Sequence, residues 1–355
     1  MDALVVTSLP NVLYLTNFNG SAAIAVLTPA RLFFITDFRY AAALEATRGT
    51  PHECPGLELV QVEHSYDETL ARLLEAIAVS RVGFEAAHLT VGRLNWLTAA
   101  LAAGEPRALA LLPTEGLVEQ GRLVKDECEL ATIREAARRI SAVAADVMKE
   151  LTRGQNEAEV ALAIDTRIRR AGFERSAFET IVASGPNAAL PHARPGGRTF
   201  TEGDLVVLDF GGVYDSYCVD LTRTVAVGTP SRRAREVYAA VREAHGRAIA
   251  AVAPGVSPAA VDLVARDTLA RHGLGEGFGH GTGHGLGLEV HEAPRIARRP
   301  STASGDGTLA AGMVLTIEPG VYLPGWGGVR IEDDVVVTET GVEVVTDATT
   351  ELLEI

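Results

Sequence analysis

The chain has 355 residues, with 46 acidic side chains against 32 basic ones and a formal net charge of −14. An acid surplus of this size repels phosphate backbones and anionic bilayers, so neither a nucleic acid nor a membrane is expected as partner. With 47% hydrophobic residues and a mean hydropathy of +0.15, the chain can bury a real core and is neither disordered nor fibrous.

Cys54, Cys128 and Cys218 lie far apart with no C-x-x-C, which argues against a disulfide framework. The start Met1-Asp2-Ala3-Leu4-Val5 carries no cationic leader, and no apolar run reaches the roughly 18 residues of a membrane helix, so a cytoplasmic location is expected. Lys125 and Lys149 are the lysines and every other cation is arginine; both are expected in one surface helix, and no G-x-x-x-x-G-K-[ST] exists to use either.

In chain order, residues 3–118 mix short apolar runs with helical stretches. Ile24–Thr28 and Arg31–Thr36 around Pro29-Ala30 form an expected hairpin, a helix follows at about 66–79, and Arg81–Glu85 is a further strand. A small α/β domain, residues 1–118, is expected here. The pattern changes near Glu119-Gln120-Gly121. Leu130, Ile133, Ala137, Ile140, Val143, Val147 and Leu151 recur at steps of three or four, and Asp126 with Glu129 supplies a capping box, so a long amphipathic helix opens a second domain, 119–355. Asn156 to Gly172, Ser231 to about Ala253, and Ser257-Pro258 to Gly273 mark three more helices. Strands are expected at about 178–184, 204–211, 216–227, 312–322 and 329–338, and their hairpin connections indicate an α+β class.

Asp209 sits in the apolar run Leu205–Phe210, and Asp220 in Val219-Asp220-Leu221-Thr222. With a turn centred on Tyr214-Asp215 the two carboxylates are directly opposed on one face. Glu318 and Glu332 repeat the plan, with their midpoint at Gly325. Like charges opposed in an apolar sheet are destabilising and require cations or protons. An arginine is the ordinary answer for one such pair; two pairs on the same plan favour metal, because two divalent cations would neutralise four carboxylates. Between the pairs, glycine occupies every odd position from Gly273 to Gly287, with His280 and His284 interleaved and His291 beyond. A flexible linker is the bland explanation; the interleaved Phe, His, Thr and Leu and the close approach that glycine permits argue for an ordered site instead. The odd-only spacing excludes a G-x-G-x-x-G within the run. Oxygen-rich coordination with one nitrogen suits Mn²⁺, and less exclusively Co²⁺, Zn²⁺ or Fe²⁺.

Five segments carry a resemblance: Leu208-Asp209-Phe210-Gly211, Val219–Thr224, Gly279–Glu292, Thr316–Gly320 and Val329–Asp333. Together they resemble the creatinase, aminopeptidase P and prolidase family of pita-bread metallopeptidases. The resemblance implies a pita-bread catalytic domain preceded by a smaller creatinase-like α/β domain, and a site of two divalent metals, manganese first, with Asp209, Asp220, His284, Glu318 and Glu332 as ligands. It implies hydrolysis of Xaa-Pro bonds by a hydroxide bridging the metals, with Glu318 accepting its proton. His291 would stabilise the tetrahedral intermediate, while His192 and His280 line the substrate site. Tyr322 and Arg330 match positions around the proline pocket, Arg295 is placed to meet a substrate carboxylate, and Asp37 is a candidate for the substrate amine. Members of this layout act on small peptides with proline second, commonly as homodimers. The segment Arg298–Ala311 is longer than in compact relatives and could alter the rim. Competing expectations are an aminopeptidase without strict proline preference and an inactive peptide- or protein-binding module of the same fold, which usually lacks the ligands kept here.

Overall fold

The computed structural model describes residues 1–103, 109–298 and 307–355. The chain divides into two compact units, Met1–Gly121 and Arg122–Ile355.

The first unit runs β1 (Ala3–Val6), α1 (Leu9–Thr16), β2 (Ile24–Leu27), β3 (Leu32–Thr36), α2 (Phe38–Thr47), β4 (Leu57–Gln61), α3 (Tyr66–Ala76), β5 (Arg81–Glu85), α4 (Val91–Ala103), β6 (Ala110–Thr114) and α5 (Leu117–Leu123), which spans the division. Its six strands form one mixed sheet in the order β4-β3-β2-β1-β5-β6. The expected hairpin is β2–β3, paired antiparallel from Ile24↔Ile35 to Leu27↔Leu32. Val5, Ile24, Val26, Phe33 and Leu74 build a core on one side of the sheet, and Val6, Val12, Ala25 and Phe34 a smaller one on the other. The alternation of neighbours between the two cores is the period-2 geometry of strands covered on both faces.

The second unit opens with α6 (Glu127–Glu150). The Asp126 carboxylate accepts the amides of Cys128 and Glu129 while Glu129 reaches back to the Asp126 amide, the reciprocal cap that the sequence announces. Leu130, Ile133, Ala137, Ile140, Val143 and Val147 are all buried. After α6 come α7 (Glu157–Arg170), β7 (Arg175–Ser176), β8 (Ile181–Ser184), β9 (Leu205–Tyr214), β10 (Tyr217–Ala226), α8 (Arg232–Ala250) and α9 (Pro258–Arg271). The rest is strand: β11 (Gly283–Gly285), β12 (Glu292–Ile296), β13 (Val314–Ile317), β14 (Gly320–Leu323), β15 (Gly327–Arg330), β16 (Asp333–Val337) and β17 (Val342–Val344). One sheet gathers β7, β8, β9 and β10; another has the order β12-β11-β13-β16-β17; β14 and β15 form a separate ribbon. Helices α6 and α7 share one apolar core with β8–β10, and α8 and α9 share another with β13, β14 and β15. Val314 and Val336 belong to the first core and Leu315 and Val335 to the second, so β13 and β16 serve both through their alternate faces.

Three sequence expectations change. The β9–β10 turn is centred one residue later than expected, with Tyr214 opposite Tyr217. Asp215 and Ser216 take φ of 45° and 70°, as the two central residues of a tight I′-type hairpin turn must. Asp209 therefore faces Thr222, and Asp220 faces Gly211. The shift of two keeps the parity, so both carboxylates still share a face as diagonal neighbours. In the second hairpin the expected register holds from Gly320↔Arg330 to Leu323↔Gly327, but the ladder ends there. Glu332 instead bridges to Thr222, and the Glu318 amide donates to the Thr282 carbonyl. Finally, Lys149 is exposed on α6, whereas Lys125 precedes the helix and is buried. Its amide is bonded to Gly312 O, which turns the side chain into the protein. Of the long segment 298–311, residues 299–306 lie outside the described residues.

Candidate metal centre and active site

The glycine run is ordered where it meets the sheet. A Cβ on Gly283 would lie 1.9 Å from Thr316 O, and one on Gly285 would lie 2.1 Å from Ala293 O. Only glycine lets β11 run this close to its neighbours, and that approach presents His284 between them.

Asp209, Asp220, His284 and Glu332 are buried, while Glu318 keeps partial access to solvent. Ligand atoms of Asp220, His284 and Glu332 lie within 4.8 Å of one another. His284 Nε2 is 3.6 Å from Glu318 Oε1. The other ring nitrogen, Nδ1, is 3.0 Å from Gly285 O, so it carries the proton and Nε2 presents a lone pair to the carboxylates. Asp209 is joined to the group through Arg330, whose guanidinium bonds Asp209 Oδ2 and the hydroxyl of Thr222, which in turn donates to Glu332 Oε2 at 2.6 Å. A hydrogen bond of 2.9 Å from the Asp220 amide to the Asp334 side-chain oxygen Oδ2 fixes β10 at the site.

The electrostatics favour a cation. Burial raises the carboxyl of Asp220 well above the carboxylate range, and the neighbouring Glu332 and Asp209 add to it. Glu332 rises for the same reasons, burial first and then Glu318 and Asp209. Burial pushes Glu318 up to about 7, against the opposing pull of Arg330. Among the described residues, Arg330 is the cation paired with this group, and it engages Asp209. Asp209 Oδ1 and Asp220 Oδ1 are buried and accept no hydrogen bond among the described residues. Oxygens left bare in a crowded anionic pocket, beside an imidazole with a free lone pair, are the donor set of a hard divalent cation.

Tyr322 and His280 extend the site. His280 Nδ1 lies 2.7 Å from Gly281 O and donates to it, so Nε2 accepts from the Tyr322 hydroxyl at 2.9 Å. Tyr322 accepts in turn from Arg330 at 2.8 Å. Burial lowers His280 to about 4 and His284 to about 3, which keeps both rings neutral at physiological pH. His291 packs edge-on against His284 with ring centroids 4.3 Å apart. His192, Arg295 and His291 are exposed; after burial, the charges of Arg295 and His192 are the main causes that lower the pKa of His291. Arg330 also donates to Pro191 O, tying the His192 loop to Asp209 and the carboxylate cluster. Asp37 belongs to the first unit, where it caps α2 and is bonded by Arg39 and Tyr66.

Sequence reasoning missed the polar residues that hold this group. Asp262 of α9 accepts the amide and hydroxyl of Thr282, and its neighbour one turn on, Arg266, donates to the carbonyls of Phe278 and His280. Buried Glu157 of α7 accepts from Ser184, Asn187 and Gly196 and pins the loop that bears His192. The one available signal was a charged residue at a helix position otherwise reserved for apolar ones.

A sequence model described as metallopeptidase family M24 matches residues 131–339, and one described as Creatinase/Prolidase N-terminal domain matches residues 1–124. The chain is 41% identical over 239 residues to an Xaa-Pro dipeptidase of Pyrococcus furiosus, covering 67% of each chain. It superposes on the Xaa-Pro dipeptidase from Bacillus anthracis with a TM-score of 0.92 at 38% identity, over 100% of this chain and 95% of that one. For the X-Pro aminopeptidase from Thermotoga maritima MSB8 the TM-score is 0.89 at 32% identity, over 100% and 98%. The clustered side chains and these matches agree: the chain belongs to metallopeptidase family M24, an enzyme with a Creatinase/Prolidase N-terminal domain ahead of a pita-bread catalytic domain.

Proposed function

We propose that the protein hydrolyses Xaa-Pro bonds in short peptides, with two divalent metal ions, manganese foremost, held by Asp209, Asp220, His284, Glu318 and Glu332. The observation that carries this reading is the pair of bare buried oxygens, Asp209 Oδ1 and Asp220 Oδ1, within an otherwise anionic cluster. When bound, the metals would activate water and polarise the scissile carbonyl. The chain's own residues do the rest. Glu318, which keeps partial access to solvent at the edge of the cluster, is read as the proton acceptor. His291, exposed beside His284, is read as the group that meets the developing oxyanion, and neutral His280, together with His192, is read as bordering the substrate. The Tyr322–Arg330 pair forms a rigid polar wall against which a proline ring, lacking an N–H, leaves no amide donor unpaired. Exposed Arg295 is proposed to meet a substrate carboxylate, and Asp37 the substrate amine in a homodimer.

Xaa-Pro dipeptides and Xaa-Pro-Xaa tripeptides assayed with Mn²⁺ test the reading. Cleavage of the first alone assigns a dipeptidase, of the second an aminopeptidase, and of neither refutes the proposal. An Asp37→Asn enzyme with unchanged KM removes Asp37 from it. Metal analysis of the loaded protein is expected to return two ions per chain; one ion per chain would reject the dinuclear assignment.

A further inference from the structure

His291 is held indirectly beside the proposed metal ligands. Among the described residues its ring makes no hydrogen bond; its placement rests on the contact with His284 and on the main chain that carries it. That main chain is gripped by the next residue. Glu292 Oε2 is 3.2 Å from the Lys125 ammonium, and Oε1 accepts from Arg122 and from the Glu289 amide, the latter at 3.0 Å. Arg122 makes a second bond, 2.8 Å to Glu289 Oε2, so both ends of the segment Glu289–Glu292 are tied to one guanidinium. The Lys125 side chain is only 2% exposed and that of Glu292 6%. A Cβ on Gly287 would lie 2.8 Å from Glu292 Oε2, so this glycine makes room for the carboxylate against the run that presents His284. The Lys125 amide bonds Gly312 O at 2.9 Å, so the ammonium reaches Glu292 from a fixed backbone.

A buried ion pair is a weak device for stability, since desolvation offsets much of its attraction. Its distinctive property is direction: a carboxylate held by two cations and an amide has one position, and the residue beside it inherits that position. We propose that Lys125 and Arg122 are positioning residues for His291, acting through Glu292. This rests on the reading of His291 as the group that touches the reacting carbonyl. A displacement of about 1 Å at such a group costs up to roughly 100-fold in rate.

Lys125→Met is the test, in the full-length metal-loaded enzyme with an Xaa-Pro dipeptide or tripeptide as substrate. The expected result is a fall in kcat of about 10- to 100-fold at nearly constant KM, with metal content unchanged. Lys125→Arg, which keeps the charge, restores most of kcat, and Lys149→Ala, on the exposed face of α6, behaves as wild type. The second readout needs no turnover. In ¹⁵N-histidine spectra of the metal-free protein, the His291 ring signal, identified by its loss in His291→Gln, shifts in Lys125→Met, while the signal of His272, which ends α9 and pairs with Glu243, stays in place. Unchanged kcat with an unmoved His291 signal overturns the proposal, as does a loss seen only in thermal stability or only in KM. If Lys125→Met does not fold, Lys125→Met/Glu292→Gln removes both charges and carries the same readouts. A wild-type enzyme that cleaves no Xaa-Pro peptide refutes the proposed function instead, and the histidine spectrum then decides the positioning on its own.

Discussion

At the scale of single residues, the proposed metal-binding side chains are legible as candidates because each sits in a short segment whose neighbours restrict it, and because four carboxylates in or beside apolar strands demand a counter-charge. Their supports were not legible. Thr222, Asp262 and Lys125 act across sequence separations that no local pattern carries, and Asp37 in Thr36-Asp37-Phe38-Arg39 is also a helix cap. Two predictions belong here. Glu332→Ala should lower turnover by more than about 100-fold, since even residues that only support a metal ligand cost 10- to 100-fold. Metal content should fall with it, while circular dichroism of the metal-free protein stays native because one of the crowded, buried carboxyl groups is gone. Near-normal turnover would remove Glu332 from the metal set. The second concerns pH. Glu318 stands at about 7 in the metal-free fold against an ordinary 4.5, so between those values the folded chain holds a proton that the unfolded chain has lost. Its favourable contribution is complete below about 4.5 and disappears as pH rises through about 7. Asp220 and Glu332 are raised too and act in the same direction. Urea denaturation of chelated Glu318→Gln and wild type should therefore diverge over this window, with the variant gaining relative stability toward pH 7; a constant difference would refute the assignment.

At the scale of elements, the helices were the most legible because their signals are local. The capping box of α6, the Asn156 cap of α7 and the Ser257-Pro258 start of α9 all appear where the sequence places them. Strand pairing depends on turn geometry, which is less legible: Asp215 and Ser216 both accept left-handed φ, which centres the β9–β10 turn one residue beyond the expected position and leaves the carboxylates on their common face. The odd-numbered glycines signal a close approach, but its partners, Thr316 O and Ala293 O, belong to β13 and β12 and are not named by the run itself. A comparison of two substitutions separates local from site-directed effects. Asp126→Ala removes the α6 cap and should cost about 1 kcal/mol with metal affinity unchanged. Gly283→Ala drives a methyl into Thr316 O, which must separate β11 from β13 and displace His284; it should cost several times as much and weaken metal binding. Isothermal titration with Mn²⁺ beside thermal melts distinguishes the two. A Gly283→Ala protein with wild-type metal affinity would show that the close approach does not position His284.

At the scale of the whole molecule, every proposed metal ligand lies in Arg122–Ile355, and the first unit, with its own sheet and cores, supplies none of them. The acid surplus is therefore of two kinds. Most of it is spread along the chain, but Asp209, Asp220, Glu318 and Glu332 are concentrated where burial has removed their solvation. Metal binding relieves that local repulsion and stabilises only states in which the site is intact, by about 2.7 kcal/mol at a free metal concentration one hundred times Kd. For local openings that break the site, this corresponds to about a 100-fold slowing of amide exchange. Openings that leave it intact gain nothing. Hydrogen exchange with and without Mn²⁺ should therefore show the largest added protection in β9, β10, β11 and β13 and along Glu332–Asp334, which hold the ligands or bond directly to them. Fraying of β4 and β6, the edge strands of the first sheet, should be unaffected. Chelation should reverse the pattern. Equal added protection at those edges and in β9 and β10 would mean that the ions do not act through the buried carboxylates, and the metal centre would have to be sought elsewhere in the chain.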